Sequence, residues 1–202
     1  MDRRLFLWGL SNGVTMLALG GAFWIGLGIG MLANRAHRAV AAVGTMLQVG
    51  GSVWLIRSAA RLRRRSGFAR FELRRFEGVA RAQQRHIRRG MAWTTVGQTV
   101  LAALVVWICV RAHAEHLIWA SIGAVVSLRF APLGRLFHVR PYYGTGMAGT
   151  VACGAGFAVS ESPYGVAALG LVMTAVMWIS AGYILMHADG IADRACAEPW
   201  AV

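Results

Sequence analysis

Between residues 5 and 186 the chain is a series of long apolar runs interrupted by one block of arginine. That block, residues 57–89, holds 12 of the 21 basic residues, and all 21 are arginine. A helix of about 20 apolar residues covers the hydrocarbon core of a bilayer. Charged groups enter that core only at a large desolvation cost. The pattern therefore predicts an all-α polytopic integral membrane protein. It would have six transmembrane helices in a single domain, residues 1–202, and a basic amphipathic helix outside the hydrocarbon. Composition agrees, with 57% hydrophobic residues, 14% charged residues and a mean hydropathy of +0.53.

The expected spans are residues 5–33, 39–56, 91–110, 117–133, 143–159 and 164–186, with the basic segment at 57–90. Arg3 and Arg4 ahead of the first run resemble the start of a secretory signal. The run is too long for one and no cleavage site follows, so it reads as an uncleaved span. Its glycines, from Gly9 to Gly30, leave little side chain on several faces and allow close helix contact. Span five carries two small-residue rows: Gly146, Thr150 and Gly154, and Gly144, Ala148, Ala152 and Gly156. Span four is the least regular, because Arg129, Pro132 and Gly134 interrupt it. It either stops near residue 130 or continues to 137 with a proline kink and Arg129 snorkelling to the surface.

Arginine counts orient the chain. With the block inside, inner segments carry 18 arginines against 3 outside, namely Arg35, Arg38 and Arg111. Such asymmetry places the block and both termini in the cytoplasm. Trp8, Trp54, Trp93, Tyr142, Tyr143 and Tyr183 then fall near the inner interface, and Trp107, Trp119 and Tyr164 near the outer one. The absence of lysine fits a GC-rich bacterial genome, so the expected location is the bacterial inner membrane, multi-pass.

Within the block, helical periodicity over residues 68–89 puts Arg70, Arg74, Arg81, Arg85 and Arg88 on one arc. Leu73, Phe76, Val79 and Ile87 fall opposite. Such a helix suits the headgroup layer of an anionic membrane. A solvated hairpin whose charge only fixes topology is the plainer reading. Nucleic acid is not called for, since inside-positive bias already accounts for the arginines.

Three groups of polar residues are candidate sites. The first is residues 129–146, RFAPLGRLFHVRPYYGTG, where Arg129, Arg135, His138, Arg140, Tyr142 and Tyr143 cluster. Arginine forks and tyrosine hydroxyls can hold a lipid phosphate or another anion. A basic loop with aromatic anchors is the alternative. This stretch resembles small six-span bacterial membrane proteins of unknown function, in which PLA-x-x-F is followed by proline, a tyrosine pair and Thr-Gly. Gly134 stands where that pattern has alanine. The resemblance implies six helices and no known activity.

The second group is Gln48 and Gln98, at similar depth in spans two and three. Their contact across the membrane would act as structural glue. The third is His113 and His116, with Glu115 between them, a weak metal candidate that His37 would join. At the C-terminal end, Asp189, Gly190 and Arg194 resemble the opening of the CDP-alcohol phosphotransferase signature. Asp193 replaces its alanine and the later carboxylates are missing, so that metal site cannot form. An ordinary polar tail is expected there.

No nucleotide-binding glycine pattern, nucleophile elbow or zinc ligand set is present. No carboxylate is placed at mid-membrane, which counts against proton coupling. Cys109, Cys153 and Cys196 are far apart in sequence, without the spacing of a disulfide framework. The sequence therefore points to a non-enzymatic membrane protein without cofactors, one that binds lipid or a partner. The partners would be anionic membrane lipids, with a homo-oligomer or another membrane protein also open. A small-solute transporter or channel is the alternative function.

Overall fold

A computed structural model describes residues 3–32, 38–67, 79–137 and 139–197. The described residues are helical throughout, with no strand. Eight helices follow one another: α1 Arg3–Leu32, α2 Arg38–Arg65, α3 Val79–Arg111, α4 Ile118–Leu128, α5 Phe130–Phe137, α6 Pro141–Ala158, α7 Pro163–Met186 and α8 Ala188–Ala197. Four stretches are long and apolar enough to cross a membrane: Phe6–Leu32, Ile87–Arg111, Glu115–Phe137 and Tyr164–Met186.

Local chemistry sets the helix ends. Gly67, at φ +61°, turns the chain out of α2, a conformation that costs glycine nothing. Pro163 starts α7, and the Ser162 hydroxyl caps it by accepting from the Tyr164 N–H at 3.2 Å. Pro132 explains the break between α4 and α5. It lacks the N–H that would bond to the Leu128 carbonyl, and its ring clashes with that carbonyl. The chain turns at Arg129 and then resumes as helix to Phe137, so the continuation of span four past the proline holds, but Arg129 reaches to α3 rather than snorkelling to the surface.

Helix α1 is the hub and packs on α7, α2 and α8. Gly28 and Gly170 lie backbone to backbone; a Cβ at Gly170 would stand 2.6 Å from the Trp24 carbonyl oxygen. Close approach also exposes α1 carbonyls to neighbouring donors. Gln48 donates to Ala22 at 2.8 Å, Thr174 to Gly21 at 2.9 Å and Trp178 to Ala18 at 3.3 Å. At the other end, Arg3 bridges Asp189 and Asp193 of α8 at 2.7 and 2.9 Å.

The contacts fix direction. Along α1 and α7, Gly28 meets Ala167, Gly21 meets Thr174 and Arg3 reaches past α7 to α8, so the pair is antiparallel. Gln48 with Ala22 and Arg63 over Trp8 make α2 antiparallel to α1. Thr145 with Ser180 and Gly156 with Leu169 do the same for α6 and α7. Gly123 with Cys153 and Gly134 with Tyr143 reverse α4–α5 against α6. Gly90 with Leu136 and Gln98 with Arg129 reverse α3 against α4–α5, so six units alternate in direction, with α4 and α5 counted as one and the short α8 left out.

Several sequence expectations are corrected. The basic segment is not a helix separate from span three over its described part. Residues 57–65 continue α2 and residues 79–90 open α3, with Gly90 inside the helix rather than ending it. Gly90 leaves room there for Leu136 of α5. Arg85 and Arg88 are exposed on α3, whereas Arg70 and Arg74 lie outside the described residues, as does the side chain of Arg81. The C-terminal tail is helical and buries Ala188, Ile191 and Ala192 in the core. In α6 neither small-residue row packs as a unit. Gly144 and Gly154 face open space, while Gly146 and Gly149 meet Ser127 and Gly156 meets Leu169.

Candidate functional site

Because α1 packs on α2 and α7 while α3 packs on α4 and α5, a space remains between the two sets. It is a cleft of about 590 Å³, within the range of small-molecule sites. Phe6, Leu10, Gly13, Met16 and Gly20 of α1 form one wall, and Ile87, Met91 and Gln98 of α3 the other. Val126, Arg129, Phe130, Leu133, Phe137 and Tyr142 form the floor, with Met177 of α7 behind. From Phe6 to Gly20 the α1 wall is about 21 Å long at 1.5 Å per residue. Almost every lining side chain is apolar.

Arg129 is the exception in charge. The helix break places it at the junction of α4 and α5, eight residues before the end of α5, about 12 Å along the axis. It is half-buried and reaches across to α3. One terminal nitrogen, Nη1, donates to the Gln98 Oε1, and Nη2 donates to the Thr95 hydroxyl at 2.9 Å. Its Nε–H is buried without a partner. Both acceptors are neutral, and no described carboxylate pairs with Arg129. A half-buried guanidinium therefore sits beside an apolar cleft with its charge unanswered.

The predicted anion cluster is not brought together at the cleft among the described residues. Of its six residues, only Arg129 and Tyr142 line the cleft. Arg135 and Arg140 are exposed, Tyr143 packs its ring over Gly134, and His138 lies outside the described residues. The cause is helical: residues 129 and 135 are six apart, about 600° of turn, so they leave the axis on different sides. Tyr142 is buried, with its hydroxyl against Gly13 and its ring 6.0 Å from that of Phe130.

Gln48 and Gln98 do not meet either. Gln48 is committed to α1 and Gln98 to Arg129, since α2 and α3 do not pack closely among the described residues. Gln98 was expected to meet Gln48, and its contact with Arg129, together with that of Thr95, was not foreseen. Their spacing of three, one helical face, was the available signal. Thr94 and Thr99 instead donate back to carbonyls of their own helix, Met91 and Thr95.

His113 and His116 lie in the turn between α3 and α4, His113 with φ +54°. No group of three or more His, Cys, Asp or Glu side chains gathers there or elsewhere among the described residues. His37 lies outside them. Cys109 and Cys153 are buried and Cys196 half-buried, all three as free thiols.

Comparison with known protein families, curated proteins and solved structures gives no match to this chain.

Proposed function

We propose that this chain is a non-enzymatic, six-span membrane protein that binds an amphiphilic lipid in the cleft between α1 and α3. The carrying observation is Arg129, a charge without a carboxylate partner, beside a long apolar cleft. Such a charge is costly in hydrocarbon unless an anion or water reaches it. An amphiphile supplies both the anion and the apolar body.

Six crossings are supported by the alternating directions of the six units. Residues 39–56 of α2 carry no charge, and α6 adds 18 residues without one. The resemblance of residues 129–146 to small six-span bacterial proteins fits the same count. Both ends lie on one side, since Arg3 pairs with α8. The arginine-rich ends of α2 and α3 fall on that side too, which inside-positive bias makes cytoplasmic. Reporter fusions should therefore report positions 75 and 195 inside and positions 114 and 162 outside. An external signal at 75 would overturn the orientation.

Binding rather than conduction is supported by the walls. A solute path needs polar groups along its length, and Gln48, Thr94 and Thr99 are each bonded to backbone carbonyls instead. Native mass spectrometry of the purified chain tests the reading directly. The parent should retain a bound amphiphile through detergent exchange. Gly9→Leu should lose it, because Gly9 lines the cleft and a side chain there meets open space rather than protein. Equal retention by both chains would remove the cleft as the site.

A further inference from the structure

The proposal here rests on the amphiphile-binding reading and names the class of ligand. We propose that the cleft takes a single-chain carboxylate, a long-chain fatty acid, bound with its carboxylate innermost on Arg129 and its chain running toward the arginine-rich end.

The order of the lining residues gives the orientation. Phe6, Ile87 and Phe137 lie toward the arginine-rich end, while Gly20, Gln98 and Val126 lie furthest from it. Arg129 is bonded to Gln98 and stands three residues from Val126, so the charge lies toward the end of the lining away from the arginines, while Phe6, Ile87 and Phe137 at the other end are apolar. A membrane phospholipid keeps its headgroup at the surface and its chains inward, which would set its phosphate among Phe6 and Phe137. A ligand that leads with its anion fits the opposite polarity.

Capacity gives the size. At the roughly 30 Å³ that a water-sized group occupies in a liquid, the cleft holds about 20 such groups. One long chain with a small head fills it.

Charge gives the head. One arginine balances one negative charge, whereas a phosphate monoester carries about −1.5 to −2 near neutral pH. Gln98 and Thr95 hold the terminal nitrogens from the α3 side and so fix the plane of the guanidinium. A planar carboxylate pairs with such a fork through parallel N–H donors. The exposed Arg88 and Arg89, next in α3 to the lining residues Ile87 and Met91, add a field that draws an anion in.

The test uses the full chain in nanodiscs of neutral phosphatidylcholine. Four probes are titrated: a long-chain fatty acid with its carboxyl ionised, its methyl ester, a lysophosphatidic acid of the same chain length, and inorganic phosphate. A charge-assisted hydrogen bond is worth about tenfold to a hundredfold in affinity, and the acid should exceed the ester by that factor. Arg129→Gln should bind acid and ester alike, at the ester's level. Arg129→Lys should recover part of the preference, a point charge replacing a fork. Gln98→Leu keeps the charge but loses one group that aims it, so the preference should shrink without vanishing. It also serves should Arg129→Gln fail to fold.

Equal binding of acid and ester by the parent would overturn the proposal. So would tighter binding of the lysophosphatidic acid, which would make the head a phosphate, or full displacement of the acid by inorganic phosphate, which would make the ligand a free anion. If acid and ester bind equally and Gly9→Leu weakens both, the cleft still binds amphiphiles and only the carboxylate is wrong. If neither binds, the amphiphile reading falls as well.

Discussion

Helices α1 and α3 are nearly equal in length, 30 and 33 residues, and both carry an apolar stretch able to cross a membrane. Their fates differ. In the apolar window of α1 39% is buried inside the protein, against 6% for α3. Val14, Ala18 and Trp24 of α1 are fully enclosed, whereas Trp93, Val96, Val100 and Trp107 of α3 stand exposed. Hydropathy does not separate the two helices, because both have a mean of 1.7. What separates them is side-chain size at the contact. Gly13, Gly20, Gly21, Gly26 and Gly28 let five neighbouring groups approach the α1 backbone, and three of its carbonyls accept side-chain hydrogen bonds from α2 and α7. Among helices α1 to α8, α3 packs on α4 and α5 alone, with Arg129 and the Leu136–Gly90 contact between them. The cleft exists because one helix is held from several sides and the other from one.

The largest expected effect tests that contrast at glycine. Gly170→Leu should force α7 away from α1, since its Cβ already meets the Trp24 carbonyl and the Gly28 backbone. Overpacking of this kind costs about 1–3 kcal/mol, and the upper end applies where backbone cannot yield. Gly97→Leu on α3 should be near neutral, within about 0.5 kcal/mol, because nothing lies within 4 Å of the added carbon. The same contrast repeats within α6, where Gly149→Leu should destabilise and Gly154→Leu should not. Melting temperatures in one detergent check all four. Equal losses at Gly170 and Gly97 would break the comparison.

A smaller effect sharpens it. Thr174→Val removes the hydroxyl shared between the Gly21 and Gly170 carbonyls, at 2.9 and 2.8 Å. Interhelical hydrogen bonds in bilayers contribute about 0.6 kcal/mol on average, so a loss of that order is expected. Thr99→Val removes only a bond to its own helix, at Thr95, on an exposed face. It should change stability by less than Thr174→Val in the same assay. If the two losses match, the α1 carbonyls are not a special acceptor surface.

Much of the fold was legible in the residues. The Ser162–Pro163 start of α7 and the stop at Gly67 follow from capping and φ preferences that act over a few residues. Pro132 marked the break at Arg129 for the same reason. The site was only half legible. Arg129 could be singled out as a deep charge, and the lack of acid near it was visible in the sequence. Of the residues grouped with it, Arg135, Arg140 and Tyr143 do not line the cleft: Arg135 leaves α5 on another side, and Arg140 and Tyr143 belong to the start of α6. The true partners of Arg129, Thr95 and Gln98, lie 34 and 31 residues away.

The sequence by itself determined the all-helical class, the break at Pro132 and the gathering of arginine toward one end. These depend on local backbone preferences and on the count of apolar residues, both of which are written along the chain. Only the tertiary structure decided which glycines touch a neighbour, that α3 stands apart from α1 and α2, and that Arg129 faces a cleft. The physical reason is that lipid is as apolar as leucine. On the membrane reading, a helix face turned to lipid and one turned to another helix look alike in hydropathy. The choice between them falls to size, register and the few polar atoms that find partners across the bundle.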